Sequence, residues 1–188
     1  MQGKKLFVIS GSSGVGKGTV ISEFLKRNPS FSLSISCTTR TMRPQEQEGV
    51  NYFYLIREDF ENCIKNDEFL EWAEFAENLY GTKKRYVEKC LANDKDLILE
   101  IDTQGALQVK KQMGDRAVLI FICPPSYEEL EARLRGRATE DETTIQKRLD
   151  FVKKELELAE NFDYKIINDN IENAISQLEN VIKGESNQ

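Results

Sequence analysis

The run Gly11-Ser12-Ser13-Gly14-Val15-Gly16-Lys17-Gly18-Thr19 matches the pattern G-x-x-x-x-G-K, and no other stretch constrains the chain as much. Leu6-Phe7-Val8-Ile9 stands before it. Val20, Ile21, Phe24 and Leu25 follow at helical spacing, up to a stop at Asn28-Pro29. A buried strand, a glycine loop and a helix in that order are half of a βαβ unit. Glycines let backbone N–H groups turn inward around phosphate oxygens. The helix adds its positive end, and Lys17 extends to the β- and γ-phosphates of a bound nucleotide. The residue after the lysine is usually a Ser or Thr that binds magnesium; here it is Gly18, with Thr19 next. Either Thr19 takes a nearby role or magnesium is held mainly by phosphates and water, which this ion tolerates.

The chain beyond this unit keeps alternating. Leu97-Ile98-Leu99-Glu100-Ile101 and Ala117 to Ile122 read as further strands, with Ala106, Leu107 and Val109 marking a helix between them. Pro124-Pro125 ends the second run. Tyr127, Leu130 and Leu134, then Ile145, Leu149, Val152 and Leu156, mark two amphipathic helices separated by the charged stretch from Arg137 to Thr144. A strand from Tyr164 to Ile167 and a helix from Ile171 to Ile182 follow, and the final Gly-Glu-Ser-Asn-Gln is expected to fray. Strands alternating with helices predict an α/β fold with a parallel sheet and helices on both faces. From about 31 to 86 the character changes. Phe31, Leu33 and Ile35 alternate with serines, predicting a strand over 33–36. Aromatic residues including Trp72 concentrate here, with a helix near Asp59 to Lys65. This reads as an insertion with its own short strands.

Composition narrows the chemistry. At 188 residues one domain with insertions is expected. There is no histidine, so a Ser-His-Asp triad, a Cys-His pair, a His-ligated zinc and a phosphohistidine are all excluded. Cysteines at 37, 63, 90 and 123 show no C-x-x-C spacing and read as buried free thiols. The first apolar run is too short for a signal peptide, and no stretch approaches a membrane span, so a cytoplasmic protein without a membrane partner is expected. A net charge of −6 argues against nucleic acid as the partner.

A phosphate loop does not name the second substrate. Arg40 and Arg43 flank a turn-like stretch, and guanidinium forks match phosphate oxygens bidentately. Tyr52 and Tyr80 offer hydroxyls to the same anion, although each of the four, taken singly, also reads as a surface arginine or a core tyrosine. Glu71 lies inside the apolar stretch Phe69-Leu70-Glu71-Trp72, and Asp102 follows a strand at its carboxyl end, where ligands bind in open α/β sheets. Guanine presents N1–H and an exocyclic amine side by side. Carboxylates accept from both, whereas adenine offers an acceptor at N1. Ser36 and Thr82 suit the O6/N7 edge. Asp102 also has the alternative readings of a strand-end cap or a magnesium-linked carboxylate.

Ser34-Ile35-Ser36-Cys37-Thr38-Thr39-Arg40, followed by Arg43, Glu46, Gly49 and Tyr52, resembles the GMP-binding signature of guanylate kinases. Glu68-Phe69-Leu70-Glu71-Trp72-Ala73, Tyr80-Gly81-Thr82, Glu100-Ile101-Asp102-Thr103-Gln104-Gly105 and Arg133 to Glu140 continue the resemblance in order, from about residue 5 to 183. It implies an ATP:GMP phosphotransferase of three parts: a P-loop core (1–33, 84–125 and 158–188), a GMP-binding insertion (34–83) and a helical lid (126–157). By resemblance Ser36, Arg40, Arg43, Tyr52, Glu71, Tyr80, Thr82 and Asp102 contact GMP. The loop from Gly11 to Thr19 holds ATP, Arg133, Arg137 and Arg148 contact phosphates from the lid, and Asn168 lies near the adenine. Ser12, Met42, Gln45 and Thr82 depart from the residues usual in the family, and Gly18 is similar to the loop of adenylate kinases. None of these removes a charged contact.

The GMP phosphate has a second pKa near ~6 and needs no general base, so catalysis is expected to be positioning and electrostatics by Lys17, Mg²⁺, Arg40 and the lid arginines. These cations, with Arg43, are expected to converge on one cleft, in a monomer or homodimer. Two other readings stay open: a non-catalytic guanylate-kinase-like module that binds protein partners, and a kinase of another nucleoside monophosphate.

Overall fold

The computed structural model describes residues 5–12, 14–92, 96–136 and 142–186. In chain order its elements are β1 (Leu6–Gly11), α1 (Lys17–Arg27), β2 (Phe31–Leu33), β3 (Cys37–Thr38), β4 (Phe53–Tyr54), α2 (Arg57–Lys65), β5 (Phe69–Phe75), β6 (Asn78–Lys83), α3 (Lys84–Ala92), β7 (Asp96–Glu100), α4 (Thr103–Met113), β8 (Ala117–Cys123), α5 (Tyr127–Gly136), α6 (Glu142–Leu158), β9 (Tyr164–Ile167) and α7 (Ile171–Ser186).

Strands β2-β7-β1-β8-β9 form one parallel sheet in that order. Every residue of β1 is buried, as a central strand covered on both faces requires. The pleat sends Phe7 and Ile9 to one face, against Val20, Ile21 and Phe24 of α1 and Ala174, Ile175 and Leu178 of α7. Leu6 and Val8 face the other way, against Val87 of α3 and Ala106 and Val109 of α4. The expected parallel α/β core with helices on both faces is therefore the observed one.

Strands β4-β3-β6-β5 form a second, mixed sheet. It packs its own small core, in which Phe60 and Cys63 of α2 meet Cys37, Phe69 and Leu79. Helices α5 and α6 join through Leu130, Ile145, Leu149 and Val152.

Two expectations are corrected. The strand predicted over 33–36 ends at Leu33: β2 pairs with β7 only from Phe31 to Leu33, opposite Asp96 to Ile98, and turns away while β7 runs on to Glu100. The last bond there is Ser34 N–H to Ile98 O, and residues 34–36 then cross to the second sheet. The alternation of apolar residues and serines continues through a crossing it cannot signal. Gly184 to Ser186, expected to fray, complete α7, because the Glu185 carboxylate accepts from Lys5 and from the Tyr164 hydroxyl.

Candidate active site

The loop between β1 and α1 opens at the carboxyl edge of the parallel sheet. Gly16 caps α1 with φ +90, and a Cβ there would also stand 3.0 Å from the Asn168 amide. Only glycine fits that position. Helix α1 has no side-chain cap and no acid in its first turn, so its free N–H groups and positive dipole end remain available to an anion. The Ser12 hydroxyl is buried in the same wall with no protein partner. Asn168, expected beside the adenine, donates its amide to Val15 O at 2.7 Å and so holds the loop. Ser13 lies outside the described residues.

Two cavities adjoin here. One, about 450 Å³, is lined by Gly11, Ser12, Gly14, Val15, Gly16, Lys17 and Gly18, and continues to Phe75 of β5 and Phe151 of α6. The other, about 300 Å³, is lined by Ser34, Ser36, Tyr52, Glu71, Tyr80 and Asp102, among others. Lys17, Phe75, Glu100 and Asp102 line both, so the two form one cleft. Lys17 stands at the junction, its ammonium 3.4 Å from Ile101 O.

Glu71 is 3% exposed. Its Oε1 accepts from the Thr82 hydroxyl at 2.6 Å, and Thr82 Oγ1 lies 3.1 Å from Ser36 Oγ. With the Thr82 proton directed at Glu71, the Ser36 hydroxyl is the donor of the second bond. Thr82 is itself fully buried and outside the cavity lining, so it supports Glu71 and does not face the cavity. Burial pushes the Glu71 carboxyl up to about 7; the Thr82 bond opposes this and the nearby Asp102 charge adds to it. Asp102 caps α4, its Oδ1 accepting from Gly105 N–H at 2.8 Å, so the cap reading of this residue is correct and it lines the cleft as well. Tyr52 and Tyr80 meet edge to face at 6.0 Å.

Arg40 stands at the rim, its guanidinium 5.6 Å from the centre of the Tyr52 ring. Glu46 holds it in a two-pronged ion pair at 2.8 and 3.0 Å, and also accepts from Arg43 N–H and the Tyr54 hydroxyl. The Arg40 fork, followed by these other donors, brings the Glu46 carboxyl down to about 2. Arg43 is exposed and outside the lining of either cavity.

Magnesium fits the donor set. Glu100 and Asp102 put hard carboxylate oxygens beside Lys17, and a Cβ on Gly18 would stand 3.7 Å from Glu100 Oε1. Among the described residues no group of three or more His, Cys, Asp or Glu side chains is placed to hold a metal ion. Thr19, the other candidate, is exposed on α1 outside the cleft lining. Sequence reasoning passed over Glu100, although its place at the carboxyl end of a central strand was the signal that picked out Asp102. It also passed over Ser34, a buried hydroxyl without a protein partner in the second cavity.

The family model described as guanylate kinase matches residues 3–185. The chain belongs to the guanylate kinase family. It is 50% identical over 175 residues to a guanylate kinase of Synechococcus sp. (strain JA-3-3Ab), covering 93% of this chain and 80% of that one. It is 48% identical over 181 residues to the one from Bacillus cereus (strain ZK / E33L), covering 96% and 88%. The crystal structure of guanylate kinase from Anaplasma phagocytophilum superposes with a TM-score of 0.79 at 31% identity, covering 98% of this chain and 87% of that one. Of the lid arginines that the family resemblance implies, Arg137 lies outside the described residues. Arg133 on α5 and Arg148 on α6 have described backbones, while their side chains lie outside the description. Lys17 is thus the one expected cation found in the cleft lining among the described residues, with Arg40 at its rim.

Proposed function

We propose that this guanylate kinase family member transfers the γ-phosphoryl group of ATP to GMP, and to dGMP, giving ADP and GDP. One observation carries the reading: a phosphate loop whose lysine stands at the junction with a second cavity containing a buried, partly neutralised carboxylate and a second carboxylate. ATP lies along the loop with its phosphates on the α1 N-terminus and Lys17. Guanine enters the second cavity, with Glu71 and Asp102 accepting from N1–H and the exocyclic amine. Arg40, Arg43, Tyr52 and Tyr80 take the GMP phosphate. The three-part division into core, insertion and lid belongs to this reading, and so do Arg133, Arg137 and Arg148 as cations brought by the lid. It includes a cytoplasmic location and action as a monomer or homodimer. No described helix is long and apolar enough to cross a membrane.

The chemistry is displacement in line. A phosphate oxygen of GMP attacks the γ-phosphorus, the bond to the β-bridging oxygen breaks, and ADP leaves with that electron pair. The attacking oxygen is mostly ionised at neutral pH, so the protein's task is to hold two polyanions in line and balance charge as it shifts. Lys17 does this for the β- and γ-oxygens. Glu100, beside Lys17 in the cleft, would help to hold magnesium, which would neutralise further phosphate charge. Incubation with ATP, Mg²⁺ and GMP, followed by chromatography, should give ADP and GDP in equal amounts. ADP without GDP, or no turnover, would contradict the reading; the latter favours a protein-binding module.

Two predictions arise from the second cavity. The neutral Glu71 carboxyl favours the empty fold: that contribution is full below its ordinary 4.5 and is lost as pH rises through about 7. Guanine's donors prefer the carboxylate, so binding has the opposite sign. Affinity for guanosine, which carries no phosphate to titrate, should rise roughly tenfold between about pH 6 and 8 and be flat in Glu71→Gln; calorimetric titration measures it. Glu46→Gln should raise the KM for GMP about tenfold and leave that for ATP within about twofold, because Arg40 loses its charged anchor. Steady-state kinetics checks this.

A further inference from the structure

Helix α4 does more than carry Asp102 at its cap. Strand β5 is the edge of the second sheet, and its pairing with β6 slips between Phe69 and Glu71, so that Leu70 is a bulge. A bulge redirects the side chain beside it and leaves backbone groups without ladder partners. Glu71 is that neighbour. Gln112 donates to Leu70 O at 2.8 Å, from the bulged residue itself. One turn earlier, Gln108 donates to Trp72 O at 2.9 Å and accepts from Trp72 N–H at 3.2 Å, as a further strand would. One turn earlier again, a Cβ on Gly105 would stand 2.7 Å from Glu71 Oε2. Residues 105, 108 and 112 share one face of α4. That face makes room for Glu71 and grips the backbone on either side of it.

We infer that Gln108 and Gln112 are positioning residues for base selection: they fix the bulge that aims Glu71, so that one helix sets the spacing of Glu71 and Asp102. The inference rests on Glu71 as the reader of the guanine edge. It explains why two amides lie along an edge strand that other proteins cover with charge or leave to solvent. It also gives selectivity a mechanical origin. A carboxylate held from both sides cannot turn aside to accommodate a base that lacks the matching donors.

The test is the ratio of kcat/KM for GMP over IMP, which keeps N1–H and lacks the exocyclic amine. Met matches Gln in length and helix propensity but makes no such hydrogen bonds. Gln108→Met with Gln112→Met should raise the KM for GMP roughly tenfold or more, lower the GMP-over-IMP ratio about tenfold, and leave the KM for ATP within about twofold. In a Glu71→Gln background the same pair should change the ratio by less than about twofold, since it acts through Glu71. If Glu71→Gln collapses the ratio and the glutamine pair leaves it intact, the clamp is overturned and Glu71 stands as the reader. If Glu71→Gln itself leaves the ratio unchanged, the reading of Glu71 fails and the clamp with it. Should the double variant not fold, Gln108→Glu keeps the acceptor for Trp72 N–H and loses the donor to Trp72 O. It should lower the ratio about threefold, and an unchanged ratio there also overturns the clamp.

Discussion

Lys17→Ala should lower turnover at least about a hundredfold in a protein that keeps its fold. The side chain extends from the first residue of α1 to the point where the two cavities meet, and its ammonium donates to the Ile101 carbonyl at 3.4 Å. Little in the fold depends on it, so a melting temperature close to that of the parent is expected. Catalysis depends on it because, among the described residues, the other charged groups lining the cleft are acidic: Glu71, Glu74, Glu100, Asp102 and Glu155. Two polyanionic substrates cannot meet in such a place without a fixed cation between them. Lys17→Arg should recover only part of the loss, since a planar fork does not reproduce a compact ammonium. Near-parental turnover in folded Lys17→Ala would remove Lys17 from the mechanism.

The second large effect belongs to Glu71. Glu71→Gln keeps size and an oxygen for the Thr82 hydroxyl, and replaces the other oxygen with an NH₂ group. That group would face the guanine donors, leaving buried donors without acceptors, which is where polar sites discriminate most strongly. The kcat/KM for GMP should fall at least roughly a hundredfold, with the KM for ATP within about twofold. Removing a buried, partly neutralised carboxyl should not destabilise the empty protein at pH 8, where its ionised form is the costly one. Equal losses for both nucleotides would mean a general distortion of the cleft and would count against base reading.

The parts legible in the sequence share a physical reason. Strand β1, its loop and α1 announce themselves because a central parallel strand must be apolar throughout and a phosphate loop must be glycine-rich. Strand β9 was read to its last residue, from Tyr164 to Ile167. Helix α3 was missed although Val87, Cys90 and Leu91 stand at helical spacing and pack on one core face, because the stripe spans little more than one turn and only Val87 in it is buried. The crossing at 34–36 and the bulge at Leu70 were invisible, because both are set by which strand lies alongside. At the site, Lys17, Glu71 and Asp102 could be named from local pattern. The supports could not: Gln108 and Gln112 act on a strand about forty residues earlier in the chain, an order of separation that local periodicity does not encode. Phe75 and Phe151 meet across the cleft mouth from segments just as remote. Asn168 was named for the nucleotide and holds the loop from behind.

Whether the paired carboxylates make the second cavity a guanine site is decided by a coupled assay of ADP release at fixed ATP, across AMP, CMP, UMP, GMP and dGMP. The kcat/KM values for GMP and dGMP should exceed each of the others by at least about a hundredfold. A preference for AMP, CMP or UMP, or comparable values for all five, would contradict a guanine site.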